Sequence, residues 1–402
     1  MREVVFVDFA RTAFGNRGGA LRSFADVDLG AACLKALAEK SGIWEKGGKE
    51  AVDSIFSGAA LRSKISGAPT VYMARKAGFP ESTEAHQVEM QCGSAITSIN
   101  HAAFQIALGY ADVAIAGGIE SHSTRPVFMS SVTDPYKGQA PAWLSMGLAP
   151  DPEQNIPMLR VADDMAKKWN ITREQCDEFA LRSQQRLAAG YESGLIGDEI
   201  IPIVIPGTKK TPEVVINKDE FPRPQSTMEG LAKLRTINED GVTTAGNASG
   251  LNDGAAFVLM MTAEKAKELG YTPYARWVMG ADIGVEPRYM GIGPAFSNVK
   301  ALKLAGLTAN DMDVWECNEA FAAQNLAVIK EIESQTGYTI DQAKWNPNGG
   351  AIAIGHPNAA SGARIGMFAM KQLEKTGGKY GIFSSCCCGG HGTTTIIENL
   401  RR

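Results

Sequence analysis

The chain has 402 residues, which is too many for a single small hydrophobic core. This length predicts two or three domains. Hydrophobic residues make up 44% and charged residues 21% of the total, a balance typical of soluble globular proteins. A formal net charge of −4 gives no global positive field, which argues against nucleic acid as a partner. No apolar run reaches the length of a membrane span, so no membrane association is expected.

Seven cysteines are scattered along the chain without the spacing of a disulfide framework. The first residues lack the apolar run of a secretory signal peptide. Both features are typical of proteins in a reducing compartment, and we expect a cytoplasmic protein.

In the first part of the chain, short apolar segments alternate with segments of helical periodicity. Strands are predicted over residues 4–8, 52–57, 86–91 and 111–116, and helices over residues 26–39, 70–77 and from about 94 to 110. Residues 121–247 then change in composition, with more Pro, Met, Trp and charged residues and one amphipathic helix over residues 161–190. This change predicts an inserted loop domain.

The second part of the chain repeats the plan of the first. After a strand over residues 254–261, strands are predicted over residues 275–279, 312–317, 381–385 and 393–398, and helices over residues 294–305, 320–333 and 361–374. Alternating strands and helices favour a mixed α/β sheet covered on both faces. We therefore assign residues 1–120 with 248–270 to a first half, 121–247 to the loop domain and 271–402 to a second half.

A lone cysteine, Cys92, lies where a predicted strand turns into a buried helix. Amides at a helix N-terminus favour a thiolate, so this position predicts a reactive thiol. Gly93 is expected to let the backbone approach a substrate closely. The alternative is a buried structural cysteine, which is the usual fate of a free thiol.

Three further turns carry groups that nucleophilic catalysis requires. They are the Cys-Asn-Glu-Ala-Phe turn at residues 317–321, the Gly-His-Pro turn at 355–357 and the Cys-Cys-Cys-Gly-Gly run that begins at residue 386. Adjacent residues at a strand end point in alternate directions, so three consecutive thiols do not make one tetrahedral zinc site, and no metal is expected.

Four motifs resemble the thiolase family, and the resemblance runs from end to end. They are QCGSA at residues 91–95, TAGNASGLNDGAA at 244–256, NEAFA at 318–322, and NGGAIAIGHP at 348–357 followed by ASGA at 360–363. The resemblance implies a thiolase fold, with duplicated βαβαβαββ halves in a five-layer αβαβα sandwich and a loop domain over the coenzyme A site. It also implies an acyltransferase of the acetyl-CoA C-acyltransferase type.

The resemblance assigns four catalytic residues. Cys92 matches the nucleophile that carries the acyl group, and His356 matches the base that takes its proton. Cys386 matches the acid and base at the α-carbon, and Asn318 matches the residue that holds an oxyanion-hole water. The backbone amides of Cys92 and Cys388 are expected to form the other oxyanion hole.

Three further residues match positions that contact coenzyme A, which is expected as a substrate and not as a permanent cofactor. Ser249 matches the serine that bonds the pantetheine chain, Arg223 the arginine at the nucleotide end, and Met158 a methionine over the acyl group. For Arg223 the alternative is a solvated surface position, and for Met158 it is the core of the loop domain.

The chain departs from the family pattern around the acyl group. Gln91 replaces an apolar residue, Ala95 and Cys388 replace glycines, and residues 157–160 replace His-Met and small residues with Pro-Met-Leu-Arg. Gln91, Ala95, Arg160 and Phe321 are therefore the acyl-pocket candidates. The hypothesis is an acyl group bulkier than acetoacetyl, or one whose carboxylate pairs with Arg160, as in thiolases of aromatic breakdown such as benzoylsuccinyl-CoA thiolase. For Arg160 the alternative is a surface ion pair.

Several alternatives remain at this point. One is an acetyl-CoA acetyltransferase that forms acetoacetyl-CoA, and another is a non-catalytic scaffold subunit. A decarboxylating ketosynthase or a hydroxymethylglutaryl-CoA synthase is disfavoured by the NEAF motif together with Cys386. The resemblance further implies a homodimer or a dimer of dimers, and some thiolase-like subunits work with a small zinc-ribbon/OB-fold partner.

Overall fold

The structure is a computed structural model, and it describes residues 1–131, 136, 138, 140–144, 147–207, 209 and 211–402. The strands are β1 Val4–Thr12, β2 Gly15–Asn16, β3 Ser54–Gly58, β4 Glu84–Val88, β5 Val113–Ser121, β6 Ile200–Ile201, β7 Ile203–Ile205, β8 Val214–Ile216, β9 Asn252–Thr262, β10 Ala275–Gly284, β11 Met312–Cys317, β12 Tyr380–Cys387 and β13 His391–Asn399. The helices are α1 Asp26–Ser41, α2 Ile43–Gly47, α3 Pro69–Ala77, α4 Ser94–Leu108, α5 Met158–Lys168, α6 Arg173–Glu192, α7 Met228–Ala232, α8 Ala263–Glu268, α9 Gly293–Ala305, α10 Ala322–Thr336, α11 Ala351–Ile354 and α12 Ser361–Thr376.

The two halves of the chain have the same sheet topology. In the first half the strand order is β4-β3-β5-β9-β1, with β3 parallel to β4 and β5, and β9 antiparallel to its neighbours. In the second half the order is β11-β12-β13-β10, with β11 parallel to β12, and β13 antiparallel to its neighbours. A parallel bridge from Trp315 to Trp345 stands where β4 stands in the first half. The predicted duplication is therefore present in the strand pairing.

The halves stack as five layers. Helices α4 and α12 lie against each other between the inner faces of the two sheets and share one hydrophobic cluster. The outer face of the first sheet packs on α1 and α3, and the outer face of the second packs on α9 and α10. At the seam, β1 and β10 pair through Val5 with Arg276 and Phe6 with Ala275. The αβαβα prediction is confirmed.

Small residues let the two central helices approach closely. A Cβ added at Gly362 of α12 would lie 2.7 Å from Ile96 Cγ1 and 3.1 Å from Ala95 Cβ of α4. Helix α4 begins directly after the turn that holds Cys92, and α12 begins shortly after the turn that holds His356. The contact between the two helices therefore fixes the positions of the two turns relative to each other.

The segment assigned to the loop domain differs from the sequence prediction in one respect. The single amphipathic helix expected over residues 161–190 is two helices, α5 and α6, separated at Asn170, which has a φ of 51°. Thr172 caps the second helix, because its side chain accepts a hydrogen bond from Gln175 N. The apolar periodicity continues through the break, which is why the pattern did not locate it.

Among the helices that the structure describes, none is long and apolar enough to cross a membrane.

Candidate active site

Cys92 lies in a tight 3₁₀ turn, Gln91–Gly93, between β4 and α4. Strand β4 spans Glu84–Val88, so the strand predicted over residues 86–91 is placed two to three residues too late in the chain. Gln91 has a φ of 51°, which is unusual for a residue other than glycine. The Glu89 carboxylate holds it there, because it accepts hydrogen bonds from Gln91 N at 2.9 Å and from Gln91 Nε2 at 2.6 Å.

Gly93 is required for contact with the second half of the chain. A Cβ at this position would lie 2.4 Å from Cys387 Sγ and 2.6 Å from Thr393 Cγ2. The turn that carries Cys92 therefore packs directly on β12 and β13. Ser385 adds to this contact, since its hydroxyl donates to the Cys92 carbonyl at 3.3 Å.

The cysteine run places each thiol differently. Cys386 and Cys387 are buried at the end of β12, and Cys387 packs under Gly93. Cys388 is half-buried, is the largest cause of the raised pKa of the Cys92 thiol, and has its sulfur 3.2 Å from Met158 Sδ. Cys92, Cys386, Cys388 and Met158 therefore converge. Within the described ranges, no group of three or more His, Cys, Asp or Glu side chains is arranged to hold a metal ion.

Hydrogen bonds fix the orientation of His356. Its backbone N–H donates to Asn252 Oδ1 at 2.8 Å, and its Nδ1 lies 2.7 Å from Ser361 Oγ. The Ser361 hydroxyl donates to the Pro357 carbonyl at 3.2 Å, so its oxygen accepts from Nδ1–H. In the neutral ring Nε2 is then the basic nitrogen, as a general base requires.

Asn318 lies directly beside that nitrogen. Its Nδ2 is 3.3 Å from His356 Nε2, and its backbone N–H donates to the Ser384 carbonyl at 2.9 Å. Asn318 Oδ1 is buried and has no hydrogen-bond partner among the described residues. A buried acceptor without a protein partner suits a bound water, which is the role that the resemblance gives Asn318.

Burial shifts the pKa values of the ionisable groups in the site. It lowers the pKa of His356 to about 3, with smaller contributions from the charges of His122 and Arg364. The hydrogen bond to Cys388 and burial raise the pKa of Cys92, and burial raises that of Cys386. The same contact lowers the pKa of Cys388, so the two neighbouring thiols shift in opposite directions. The reactive thiol expected at Cys92 therefore stays a prediction.

The glycine-rich segment that contains Ser249 is hydrogen-bonded to the turn that contains Asn318. Ser249 N donates to the Ala320 carbonyl at 3.0 Å, and Ala248 forms an antiparallel bridge with Phe321. The Phe321 side chain is half-buried. Ser249, Phe321 and Asn318 therefore belong to one side of the site.

A cavity of 340 Å³ opens beside this segment. Arg223 and Phe221 form part of its wall, with Gly246 and Ile352. Gln184 also lines the cavity and fixes the Arg223 backbone, because its side-chain oxygen accepts from Arg223 N at 2.8 Å. The Arg223 side chain is exposed, so its guanidinium is available to an anionic ligand.

The remaining acyl-pocket candidates, Gln91, Ala95 and Arg160, lie in three different environments. The Gln91 amide is held by Glu89, and Ala95 is fully buried between α4 and α12, so its Cβ packs in the core and does not face an open pocket. Arg160 forms an ion pair with Asp240 at 2.6 Å and lies 3.6 Å from Asp164. This is the surface ion pair that the sequence left open as the alternative for Arg160.

Two residues that orient His356 were missed by the sequence reasoning. Ser361 and Asn252 fix its Nδ1 and its backbone. Both lie inside motifs that the sequence already singled out, at residues 360–363 and 244–256. Their position as polar residues within these motifs is the feature by which the sequence could have indicated them. Only the tertiary contacts show which group each residue bonds.

Comparison with known families matches most of the chain to two models. Residues 4–264 match the model "Thiolase, N-terminal domain", and residues 271–399 match "Thiolase, C-terminal domain". The boundary between them falls where the second copy of the fold begins.

Individual relatives agree with these models. The chain is 41% identical over 405 residues to the acetyl-CoA acetyltransferase of Allochromatium vinosum, covering 99% of each. It is 40% identical over 410 residues to the beta-ketoadipyl-CoA thiolase of Pseudomonas aeruginosa, covering 99% of this chain and 100% of that one. The crystal structure of human mitochondrial 3-ketoacyl-CoA thiolase in complex with CoA is similar, with a TM-score of 0.88, 38% identity, and coverage of 99% of this chain and 98% of that one.

Proposed function

Because this chain belongs to the thiolase family of acyltransferases, we propose that Cys92 carries the acyl group during thiolytic cleavage of a 3-oxoacyl-CoA, or in the reverse condensation. Two observations support this proposal: the Cys386 and Cys388 thiols raise the pKa of their neighbour Cys92, and Asn318 Nδ2 lies 3.3 Å from His356 Nε2. The contact of α12 with the Gln91–Gly93 turn joins the two groups.

The first half-reaction forms the acyl-enzyme. The Cys92 sulfur attacks the C3 carbonyl of the substrate while its proton passes to His356 Nε2. The C2–C3 bond then breaks, and the enolate of the leaving acyl-CoA, which is acetyl-CoA when C2 is unsubstituted, takes the proton of Cys386. A neutral thiol and a neutral imidazole suit this step, because the proton moves as the bond forms.

The second half-reaction releases the acyl group to coenzyme A. The Cys386 thiolate removes the proton from the incoming CoA thiol, whose sulfur attacks the acyl carbon on Cys92. The C–S bond to Cys92 breaks, and the Cys92 sulfur recovers its proton from His356. Each group returns to its starting protonation state, and mass action decides the direction of the overall reaction.

Developing negative charge needs hydrogen-bond donors in both steps. The backbone amides of Cys92 and Cys388 serve one oxygen, and a water held by Asn318 beside His356 Nε2 serves the other. The unpartnered Oδ1 of Asn318 supports the second assignment. Cys388 brings a side chain into the first oxyanion hole, and that side chain contacts the nucleophile and Met158.

Coenzyme A occupies the cavity beside Arg223, with its pantetheine chain running past Ser249 toward Cys92. The hydrogen bonds between the Ser249 segment and the Asn318–Phe321 turn support this path, because they connect the wall of the cavity with the turn that carries Asn318. Coenzyme A acts here as a substrate, and no permanent cofactor is invoked.

For the acyl group we propose one that is bulkier or more polar than acetoacetyl. The Cys388–Met158 contact over Cys92 and the Arg160 position at the start of α5 support a changed pocket. Beta-ketoadipyl-CoA thiolases, whose substrate name indicates a second carboxylate, are among the relatives. Arg160 now pairs with Asp240, and because that pair is exposed, a substrate carboxylate can replace it. Benzoylsuccinyl-CoA has the same combination of bulk and charge.

An acetoacetyl-CoA-forming activity is the alternative, favoured by the acetyl-CoA acetyltransferase relatives. Comparing kcat/KM for acetoacetyl-CoA with that for 3-oxoadipyl-CoA and benzoylsuccinyl-CoA separates the two. We expect higher values for the carboxylated substrates, and for Arg160→Gln to lower those values only. Preference for acetoacetyl-CoA with no effect of the substitution would replace the polar-substrate proposal with this alternative.

The catalytic proposal is tested by trapping the intermediate. Incubation with a 3-oxoacyl-CoA and without free CoA should add the acyl mass to the peptide that contains Cys92. Cys92→Ser should abolish both the adduct and turnover, whereas the matched variant Cys176→Ala, at a buried cysteine in α6, should keep them. A wild-type protein that neither acylates nor turns over would favour a scaffold subunit.

Partners remain part of the proposal. We propose a homodimer or a dimer of dimers, because β4 is an edge strand of the described sheet and exposed apolar side chains lie next to it. A small zinc-ribbon/OB-fold partner at the coenzyme A end is a further hypothesis, tested by co-purification from the native source. A cytoplasmic location likewise stays a prediction.

A further inference from the structure

A buried ionic network fixes the segment that leads into the coenzyme A cavity. Arg11 of β1 is fully buried, and its guanidinium forms a bidentate pair with Asp219, at 2.8 Å from Nη1 to Oδ1 and 2.9 Å from Nη2 to Oδ2. Its Nε donates to Glu199 at 3.0 Å. Charges of this kind are kept in an interior only when their geometry and hydrogen bonds are nearly complete.

Asp219 and its neighbour bond to the first residues of the chain as well. The Asp219 carboxylate accepts from Phe14 N at 2.6 Å and from the Tyr191 hydroxyl. The Glu220 carboxylate accepts from Asn16 N at 2.7 Å and from Ala20 N at 3.0 Å. Two consecutive carboxylates therefore attach the loop segment to residues 11–20.

The attached segment continues directly into the cavity wall. Phe221 and Arg223 follow Asp219 by two and four residues and line the 340 Å³ cavity. Phe221 also packs on the segment that contains Ser249, because a Cβ added at Gly250 would lie 2.6 Å from Phe221 Cε2. The position of Asp219 thus determines where Phe221 and Arg223 stand relative to Ser249.

We propose that Arg11 and Asp219 are positioning residues for coenzyme A, holding the Phe221–Arg223 wall in the register that binds the nucleotide end. Neither side chain faces the cavity, so they act through the wall. The inference rests on the proposed function, since it takes this cavity as the coenzyme A site.

The same network supplies a control that separates positioning from stability. Lys371 of α12 is nearly as buried and bonds Glu199 at 2.7 Å, together with Asp198. It makes no hydrogen bond or ion pair with Asp219 or Glu220. Loss of Lys371 should therefore destabilise the fold and leave the cavity wall in place.

The test compares steady-state kinetics for two thiol acceptors, coenzyme A and N-acetylcysteamine, which lacks the nucleotide. Arg11→Lys keeps the charge and loses the bidentate fork, and Asp219→Asn keeps the shape and loses the charge. For both we expect KM for coenzyme A to rise about tenfold, the equivalent of one well-made contact, with kcat nearly unchanged. Rates with N-acetylcysteamine should not change. Lys371→Met should lower the melting temperature without altering KM for coenzyme A.

Glu220→Ala provides a second route, because Glu220 is exposed and its loss carries little risk to folding. It should raise KM for coenzyme A in the same direction by a smaller factor. Melting temperatures that fall in all variants, with KM for coenzyme A unchanged, would overturn the proposal and leave a purely structural network. Failure of the proposed function is distinguishable, because wild-type protein would then show no acylation of Cys92.

Discussion

At the scale of single residues, the orientation of His356 depends on one hydroxyl. Ser361 accepts from Nδ1–H, so Nε2 beside Asn318 is the basic nitrogen, which is the one that the proposed mechanism uses. A group that fixes a catalytic tautomer contributes to the rate without touching the substrate.

We expect Ser361→Ala to lower kcat by about 10²-fold, in the range of a general base that loses its alignment, while KM changes little. Steady-state kinetics at neutral pH measures this. Ser98→Ala is the matched control, because the Ser98 hydroxyl of α4 is equally buried and has no hydrogen-bond partner among the described residues. Equal activity of both variants would show that Ser361 does not set the tautomer.

The lowered pKa of His356 predicts the acid side of the pH profile. Burial brings this pKa from 6.5 to about 3, so the ring stays neutral, and able to accept a proton, far below the range of an exposed histidine. The profile of kcat/KM should therefore be flat from pH 8 to about pH 5. An acid limb near pH 6.5 would mean that His356 titrates as a solvated histidine.

At the scale of elements, the Gln91–Gly93 turn is held from two sides. Hydrogen bonds to Glu89 keep the backbone of Gln91 in the left-handed conformation, and side chains of β12 and β13 pack against Gly93. The turn is consequently part of the interface between the halves, and it also supports Cys92, the proposed nucleophile.

Gly93→Ala should destabilise the protein by about 1–3 kcal/mol, the usual cost of overpacking, because its Cβ would collide with Cys387 Sγ. Activity should fall as well, since the Cys92 backbone must move. Thermal or denaturant unfolding measures the first effect. Gly67→Ala serves as the control, because a Cβ there meets no atom within 4 Å. Unchanged stability of Gly93→Ala would show that the two halves separate easily at this turn.

At the scale of the whole molecule, one edge of the described sheet is open. Strand β4 ends the strand order, and Phe104, Leu108 and Tyr110 beside it are 41%, 65% and 81% exposed. Phe56 and His86 complete a cavity of 400 Å³ with these residues. An open edge next to apolar side chains favours association with a second copy.

Light scattering coupled to gel filtration should give at least a dimer for the native chain. Leu108→Asp, which puts a charge in this surface, should shift the protein toward the monomer, whereas Leu304→Asp, at a comparably exposed leucine on α9, should not. A native monomer, or identical behaviour of both variants, would contradict association through β4.

The sequence by itself determined the duplicated architecture and the family, and it supplied the residues proposed to carry the chemistry. Apolar periodicity located most strands and helices, and the motifs around Cys92, Asn318 and His356, with the one at residues 244–256, identified the family. Such motifs are informative because a nucleophile, a base and close backbone contacts restrict which residues fit. The same periodicity ran through the break at Asn170, because helix termini depend on single backbone angles.

Only the tertiary structure decided the burial of Cys92 and His356, the packing role of Gly93 and the attachment of the Phe221–Arg223 segment. Burial of Cys92 and His356 comes from both halves of the chain, so the resulting shifts of their pKa values were not visible in either motif. Arg11 and Asp219 are 208 positions apart and share no motif. Desolvation and long-range hydrogen bonds depend on which surfaces meet, and a linear pattern of residues does not specify that meeting.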